Sequence, residues 1–289
     1  MKKLIYILLP LCLLVAFSAK AQTKRALVIG VGEHLDPQWG KINADKDVPY
    51  VLEMLNDAGY DQIITLVNNE ATKAGIIRAF KKLENSCQAN DIVYVHYSGH
   101  GQQMSDAGHD ENDARDECWI PYDAYRQPSE KYRGENHIID DELNVLLMNI
   151  RRKVGDGGKI LVVADACHSG DITRGEGETV RGVTDVFRAV KSYFVSTFSD
   201  EDANIQPNAE QWITLSACQS YEVNIEMRSP VVGKLTYAIY TIVKGGNVGT
   251  NSDFLNKISR FMDNNRGSLS QEPTMTGLKR SYNISDILL

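Results

Sequence analysis

Two short clusters of reactive side chains each follow a mostly apolar run in this sequence. Residues 92–98 lead to His100, and residues 160–164 lead to Cys167. A cysteine thiol with an ordinary pKa is a weak nucleophile at neutral pH, and a neighbouring base that removes its proton makes it reactive. The two clusters together therefore predict a cysteine hydrolase, with His100 as the base and Cys167 as the nucleophile.

Glycines lie on both sides of the candidate base. Gly99 and Gly101 permit a sharp turn of the backbone at His100 and the close approach of a substrate. The N–H groups of Gly101 and Cys167 are candidate donors to the oxyanion of a tetrahedral intermediate. His168 is a rival base because it is adjacent to Cys167, although successive residues at a strand end point in different directions.

The segments around these clusters predict an α/β fold. Apolar runs without polar alternation are typical of parallel strands buried on both faces, and helical spacings of apolar residues separate the runs here. Parallel sheets hold reactive side chains in loops at the carboxyl ends of their strands. We expect a three-layer α/β/α sandwich with a mostly parallel central sheet. The predicted strands are residues 25–31, 62–66, 92–98, 160–165 and 212–218, with helices through residues 48–55, 76–83, 143–150, 235–242 and 254–261. Residues 103–138 are polar, and only the segment that begins at Cys118 is apolar enough to predict a short strand there.

The N-terminal segment predicts a secretory signal peptide. Its first three residues include two lysines, residues 4–17 form an apolar stretch too short to span a bilayer, and residues 19–21 read Ala-Lys-Ala. A buried first helix or a membrane anchor is the alternative. We expect a signal peptide over residues 1–21 and one domain over residues 22–289. The protein would then be periplasmic or secreted, with no membrane contact after the signal is removed.

Charge and cysteine content exclude several other classes of protein. Removal of residues 1–21 would move the formal charge from −7 to −10, because this segment carries three lysines and no acid. An acidic domain repels phosphate backbones, so we expect no nucleic-acid partner. A monomer of this length needs no disulfide, and Cys87, Cys118 and Cys218 lack paired spacing. We expect these three to be buried apolar residues, which is also the alternative role for Cys167.

The two reactive clusters resemble the catalytic motifs of the caspase-like peptidases. His96-Tyr-Ser-Gly-His100-Gly and Asp165-Ala-Cys167-His-Ser-Gly are similar to the motifs of the metacaspase branch. Supporting stretches, such as Asn43-Ala-Asp-Lys-Asp47, extend the similarity over nearly the whole chain after the signal peptide. The resemblance implies a caspase-type fold, polypeptide substrates and hydrolysis of peptide bonds by a His100/Cys167 dyad.

The resemblance also implies cleavage after Arg or Lys. Metacaspases place acidic side chains in the primary substrate pocket, and the matching positions here are Asp47 and Asp165, with Ser98 nearby. Each carboxylate facing a guanidinium would contribute a charge-assisted hydrogen bond of about 1.5 to 3 kcal/mol. The alternative for Asp47 is a helix N-cap. Asp165 could instead accept hydrogen bonds from loop amides or orient His168.

Calcium is a further implication of the resemblance. Many metacaspases need calcium, and Asp123, Asp140 and Asp141 match three of the aspartates that bind it. Asp171 comes earlier than the position expected for a fourth ligand. Carboxylate oxygens suit calcium, although Asp140 and Asp141 are equally typical of a helix start. We expect calcium as an activator and no cofactor for the chemistry itself.

The segment after the cysteine is polar and lacks strong periodicity, which is typical of a functional loop. We expect a mobile loop over residues 171–211. If the enzyme prefers Arg or Lys, basic residues in this loop are candidate sites of self-cleavage, and ordinary loop solubility is the alternative. A catalytically silent caspase-like scaffold is the competing function. The basic residues are Arg174, Arg181, Arg188 and Lys191.

Overall fold

A computed structural model describes most of the chain after the predicted signal peptide. The described residues are 22–105, 115–167, 178–183, 185–188, 211–220, 222–267, 270–277 and 282–289. The predictions for residues 1–21, His168, Asp171 and most of the loop over residues 171–211 fall outside them.

Strands and helices alternate along the described residues, as the sequence predicts. The strands are β1 (Lys24–Gly30), β2 (Gln62–Val67), β3 (Ile92–Ser98), β4 (Gly101–Ser105), β5 (Arg115–Trp119), β6 (Ile138–Ile139), β7 (Lys159–Asp165), β8 (Ile213–Ser216) and β9 (Thr274–Thr276). The helices are α1 (Asp47–Asp57), α2 (Lys73–Ser86), α3 (Asp140–Val154), α4 (Lys234–Lys244), α5 (Asn251–Asn264) and α6 (Ser285–Leu288). Within the described ranges, no helix is long and apolar enough to cross a membrane.

A six-stranded sheet forms the centre of the fold, with the strand order β2-β1-β3-β7-β8-β9. The first five strands are parallel, and β9 pairs with β8 in the antiparallel direction. Side chains of β1 alternate between two cores. Ala26 and Val28 pack in one core with residues of α1, α4 and α5, whereas Leu27 and Ile29 pack in the other with residues of α2 and α3. The predicted α/β/α sandwich with a mostly parallel sheet is confirmed.

A small antiparallel sheet of β4, β5 and β6 lies beside the main one and corrects the sequence prediction. We expect only one short strand, near Cys118, between residues 103 and 138, but β4 and β6 are strands as well. The sequence of β4 is polar and lacks apolar alternation. It is nevertheless buried because the Gln102 side chain has partners there: its Nε2 donates to the Asp185 carbonyl at 3.0 Å, and its Oε1 lies 3.0 Å from His137 Nε2.

Candidate active site

The ends of two neighbouring strands bring His100 and Cys167 to the same edge of the sheet. Strands β3 and β7 are parallel and adjacent, and Ser98 at the end of β3 pairs with Asp165 at the end of β7. His100 and Cys167 each follow two residues after this pair. The Gly99 N–H also donates to the Asp165 carbonyl at 3.4 Å, so the segments that follow β3 and β7 stay adjacent beyond the ends of these strands.

Contacts of the His100 ring determine which nitrogen can act as a base. Its Nε2 lies 2.7 Å from the carbonyl oxygen of Gly40. A carbonyl only accepts, so Nε2 carries the hydrogen and Nδ1 is the basic nitrogen of the neutral ring. His34 and Trp39 pack against this ring, with centroids at 5.4 Å and 5.2 Å. Burial, followed by the neighbouring His100, lowers the pKa of His34 to about 3, so His34 stays neutral beside the candidate base.

Cys167 is fully buried next to a second cysteine. Its Sγ donates a hydrogen bond to the Glu222 carbonyl at 2.7 Å, and Cys218 Sγ lies 3.7 Å from the same oxygen. The hydrogen bond with Cys167, together with burial, raises the pKa of Cys218 well above its usual value. Cys218 therefore stays a neutral thiol beside the candidate nucleophile. Within the described residues, Cys87, Cys118, Cys167 and Cys218 are all buried and form no disulfide.

Three buried carboxylates surround the guanidinium of Arg181. Asp47 accepts two hydrogen bonds from Arg181, at 2.5 Å from Nη1 and 3.0 Å from Nη2. Asp165 Oδ1 lies 3.3 Å from Nη1, and Glu226 Oε1 accepts from Nε at 3.1 Å. The side chains of Arg181, Asp47 and Asp165 are fully inaccessible to solvent, and Glu226 is nearly so. Buried charges require such pairing, so an acidic pocket filled by an arginine is a stable arrangement.

Donors around the pocket hold its two aspartates in place. Asp47 accepts from the Ser98 hydroxyl at 2.7 Å and from the Gly233 N–H at 2.8 Å. Asp165 accepts from the N–H of Thr236 at 2.8 Å and from its hydroxyl at 2.7 Å. Burial alone would raise the pKa of Asp165, but Arg181 and the hydrogen bonds outweigh it and lower the pKa below its usual value. Asp165 is therefore ionised, and the carboxylates of both aspartates face the guanidinium.

The charge of Arg181 is fixed by the same contacts. Burial works to lower its pKa, but the attraction of Asp47, Asp165 and Glu226 is stronger, and the pKa is raised above its already high value. The guanidinium stays charged at any pH at which the protein is folded.

The backbone around Arg181 lies across the candidate nucleophile as an extended substrate would. The Cys167 N–H donates to the Arg181 carbonyl at 2.8 Å, which is the position of an oxyanion donor. The Arg181 N–H donates to the Asn224 carbonyl at 2.9 Å, and the Glu226 N–H donates to the Thr179 carbonyl at 3.0 Å. Residues 179–181 are thus paired in the antiparallel direction with residues 224–226.

Gly182 follows Arg181 directly over the cysteine. A Cβ at Gly182 would lie 2.6 Å from the Cys167 carbonyl oxygen and 3.0 Å from its Cβ, a space that only glycine fits without a shift. The Arg181–Gly182 peptide bond therefore covers Cys167. Gly101 is the first residue of β4, and in the described part of the chain no hydrogen bond joins its N–H to the Arg181 carbonyl.

Comparison with known proteins identifies the family. Residues 24–174, just over half of the chain, match the family model described as metacaspase, peptidase C14 domain. The chain belongs to the metacaspase family of cysteine peptidases. The resemblance drawn from the two motifs is thereby confirmed. The match includes His100, Cys167, Asp47 and Asp165, whereas Arg181 and the residues after it lie beyond its end.

Fungal metacaspases are among the similar sequences. Metacaspase-1B of Aspergillus fumigatus is 33% identical over 165 residues, which are 53% of this chain and 37% of the relative. Metacaspase-1 of Coccidioides immitis is 33% identical over 156 residues, 51% of this chain and 31% of the relative. The chain thus covers only about a third of the length of these two curated metacaspases.

Solved structures of low sequence identity share the fold. Protein GSU0716 from Geobacter sulfurreducens has a TM-score of 0.64 at 24% identity, covering 92% of this chain and 96% of that one. Caspase-1 from Spodoptera frugiperda has a TM-score of 0.59 at 10% identity, covering 88% and 86%. These likenesses extend the caspase-like fold beyond the residues matched by the metacaspase family model.

The three residues predicted to bind substrate make different contacts in the structure. Asp47 is the first residue of α1, but Lys46 occupies the N-cap position and Asp47 makes no side-chain capping bond there; its carboxylate faces Arg181 instead. Asp165 also contacts Arg181. Ser98 supports the pocket through Asp47, because its hydroxyl donates a hydrogen bond to the Asp47 carboxylate.

Glu226 is a pocket residue that the sequence analysis missed. It lies in the segment Val223-Asn-Ile-Glu-Met227, where a single acid alternates with apolar side chains. That pattern is a usable signal, since an acid in an otherwise buried strand needs a cationic partner. Its Oε1 and Oε2 also accept from the backbone and side chain of Asn43, both at 2.7 Å, which fixes the carboxylate toward Arg181.

The residues predicted to bind calcium lie at or beside the starts of helices α2 and α3. Asp123 accepts the Lys73 N–H at 2.8 Å, while Asp140 and Asp141 begin α3. In the ranges that the structure describes, no group of three or more acidic, histidine or cysteine side chains is arranged to hold a metal ion. Calcium binding by these aspartates stays a prediction, and we derive no step of the chemistry through calcium.

Proposed function

We propose that this metacaspase cleaves polypeptides after Arg or Lys and processes its own chain between Arg181 and Gly182. The observation that supports this is the placement of Arg181, whose guanidinium lies between Asp47 and Asp165 while its carbonyl accepts the Cys167 N–H. A substrate arginine would present the same two groups at the same two places.

The reaction follows from these positions. His100 Nδ1 takes the thiol proton of Cys167, and Sγ attacks the carbonyl carbon of Arg181. The Cys167 N–H stabilises the negative oxygen of the tetrahedral intermediate. The protonated His100 then donates its proton to the departing amine of Gly182. Water, deprotonated by the same imidazole, hydrolyses the thioester and regenerates the thiol.

The shape of the pocket favours Arg over Lys. Three different nitrogens of Arg181 are bound: two by Asp47 and one by Glu226. A lysine carries one nitrogen and cannot bridge Asp47 and Glu226 in this way. We expect peptides with Arg before the reporter to be cleaved about tenfold faster than Lys peptides, equivalent to about 1.4 kcal/mol.

Self-cleavage is tested by incubating the purified full chain and sequencing the new N-terminus. We expect a fragment that begins at Gly182 in the wild type and none in Cys167→Ala. Arg181→Gln removes this product because the pocket binds a cation, whereas Arg188→Gln, an exposed arginine in the same region, is the matched control that retains it. A product at the same bond in Cys167→Ala would contradict the assignment of the nucleophile.

The competing function is a catalytically silent scaffold, and peptide cleavage in trans distinguishes the two. Reporter peptides with Arg, Lys or Asp before the scissile bond are compared in wild type and Cys167→Ala. Cleavage of the Arg and Lys peptides by the wild type alone supports the peptidase. Preference for Asp contradicts the acidic pocket, and no cleavage by either protein favours the scaffold.

Export and calcium activation belong to the same proposal. The protein should be recovered from outside the cytoplasm with an N-terminus near Gln22. Recovery from the cytoplasm alone would contradict export, and an exported chain that keeps residues 1–21 would contradict removal of a signal peptide. Repeating the peptide assay with a calcium chelator tests activation, for which the described aspartates provide no assembled site. Equal rates with and without the chelator would end the calcium proposal.

A further inference from the structure

The side chain three residues before Arg181 occupies a site of its own. Glu178 is the fourth residue before the proposed scissile bond, counting Arg181 as the first. Pairing of residues 179–181 with residues 224–226 fixes the backbone leading to it. The Glu178 side chain is only 3% exposed, so its carboxylate is almost completely removed from water. A carboxylate loses much hydration in such a place and requires compensating charges.

Glu178 lines a cavity of about 450 Å³. Its walls include Ile225, Arg228, Arg266 and Gly267. Glu178 Oε1 lies 3.7 Å from Arg228 Nη2. A Cβ on Gly267 would come within 2.5 Å of Oε1, so the absence of a side chain at Gly267 leaves the space that the carboxylate fills.

Positive charge surrounds the same position. Arg228 and Arg266 lie at the mouth of the cavity, with side chains 71% and 59% exposed. Lys234, in the first turn of α4, is buried nearby. Burial lowers the pKa of Lys234, and Glu178 is the strongest of the charges that raise it. The cavity therefore combines a close contact at Gly267 with two basic side chains, Arg228 and Arg266, the second of which also pairs with Asp263 at 2.8 Å. With Lys234 nearby, this composition suits an acidic side chain.

We propose that this cavity is a second specificity site, which binds an acidic side chain at the fourth position before the cleaved bond. The inference rests on the proposed function and narrows it, because preferred substrates then carry Glu three residues before the Arg or Lys. Glu178-Thr-Val-Arg181 is the sequence in this chain that satisfies both sites.

Tetrapeptide reporters test this inference after the full chain has been incubated to release its own segment. The peptides are Glu-Thr-Val-Arg, Gln-Thr-Val-Arg and Lys-Thr-Val-Arg, which differ only in the charge at the fourth position. We expect kcat/KM of the wild type to be about three- to tenfold higher for the Glu peptide than for the Gln peptide, since Arg228 and Arg266 are partly screened by solvent. The Lys peptide should be the poorest of the three.

Variants of the exposed arginines show whether the cavity causes the preference. Arg228→Glu should remove the preference for the Glu peptide over the Gln peptide and raise the rate for the Lys peptide relative to the Gln peptide. Arg266→Gln, at a position that is also largely exposed, should reduce the preference in part. A preference unchanged in both variants would overturn the assignment to this cavity.

The outcomes for the wild type separate this inference from the proposed function. Equal rates for the three Arg peptides overturn the second site and leave the peptidase intact. No cleavage of any Arg peptide, with wild type and Cys167→Ala alike, removes the peptidase and with it this inference. Faster cleavage of the Lys peptide than of the Glu peptide would show that the cavity recognises the opposite charge.

Discussion

At the scale of single residues, the acidic pocket depends on a glycine that carries no charge. Gly233 donates its N–H to Asp47 and lies against the guanidinium of Arg181. A Cβ at this position would come within 2.5 Å of both Arg181 Nη1 and Asp47 Oδ2, and it would also contact Asp165. Its backbone, with φ of −58° and ψ of 132°, is allowed for other residues. The requirement for glycine is therefore one of space in the pocket.

Gly233→Ala is predicted to block the pocket without unfolding the protein. The methyl group takes the volume of the guanidinium, so we expect kcat/KM for Arg peptides to fall by about 100-fold or more, equivalent to about 2.7 kcal/mol. The measurement is peptide hydrolysis by Gly233→Ala, with thermal unfolding to check the fold. Gly245→Ala, at the other end of α4, is the matched control, because a Cβ there meets only ordinary contacts at 3.4 Å. Full activity of Gly233→Ala would contradict the placement of the pocket.

At the scale of elements, the N-terminus of α4 supports both pocket aspartates. Asp47 accepts the N–H of Gly233, the N-cap of this helix, and Asp165 accepts the N–H of Thr236 in its first turn. The positive end of a helix dipole stabilises carboxylates placed in this way. Helix α4 thus helps to stabilise the negative charge of the pocket.

Helices α2 and α3 are joined by a buried ion pair on the opposite face of the sheet. Lys73 Nζ lies 2.8 Å from both carboxylate oxygens of Glu142 and donates to the His137 carbonyl at the same distance. Their side chains are only 8% and 6% exposed. Removal of one partner leaves the other charge buried without compensation.

Lys73→Met is therefore predicted to lower the free energy of unfolding by about 3 to 5 kcal/mol. Burial raises the pKa of Glu142 even beside Lys73, and without the lysine this carboxyl has to stay protonated or take in water. The double variant Lys73→Met/Glu142→Leu should recover most of the loss, because it removes both charges. Urea unfolding of the two single variants and the double variant measures the coupling. Additive losses would show that the pair does not act as a unit.

At the scale of the whole molecule, two buried histidines and one partly buried histidine make stability depend on pH. Burial is the main cause that lowers their pKa, to about 3 for His34 and His137 and to about 4 for His96, from 6.5. The unfolded chain binds protons at these positions below about pH 6.5, whereas the folded chain stays neutral until lower pH. Because the unfolded state binds more protons in this window, stability rises with pH across it and is fully present above about pH 7.

We predict that lowering the pH from about 7.5 to about 5 destabilises the protein by about 1 to 2 kcal/mol for each of these histidines. The urea midpoint at several pH values measures the effect, and most carboxylates remain ionised over this range. His137→Gln should reduce the slope of stability against pH, even if it lowers the midpoint at every pH. A flat profile for the wild type would contradict the burial of neutral imidazoles.

The arrangement of the sheet and the position of the dyad were predictable from the sequence. The runs of β1, β3 and β7 are apolar on both faces, and that pattern occurs in strands covered by helices on both sides. Adjacent parallel strands end at one edge, so motifs two residues past each strand end must meet there. The small sheet was less predictable, because β4 is held by hydrogen bonds of Gln102 rather than by apolar alternation.

Two motifs in the sequence therefore predicted the family, the meeting of His100 and Cys167 at one edge of the sheet, and an acidic side chain, Asp165, beside them. Only the tertiary structure decided which arginine fills the pocket, and that Glu226 and Gly233 belong to it. Arg181 is 134 residues from Asp47 and 45 from Glu226, so no local pattern relates them. The physical reason is that the partners of a buried guanidinium depend on distances and desolvation in the folded chain. The spacing of residues in the sequence determines neither quantity.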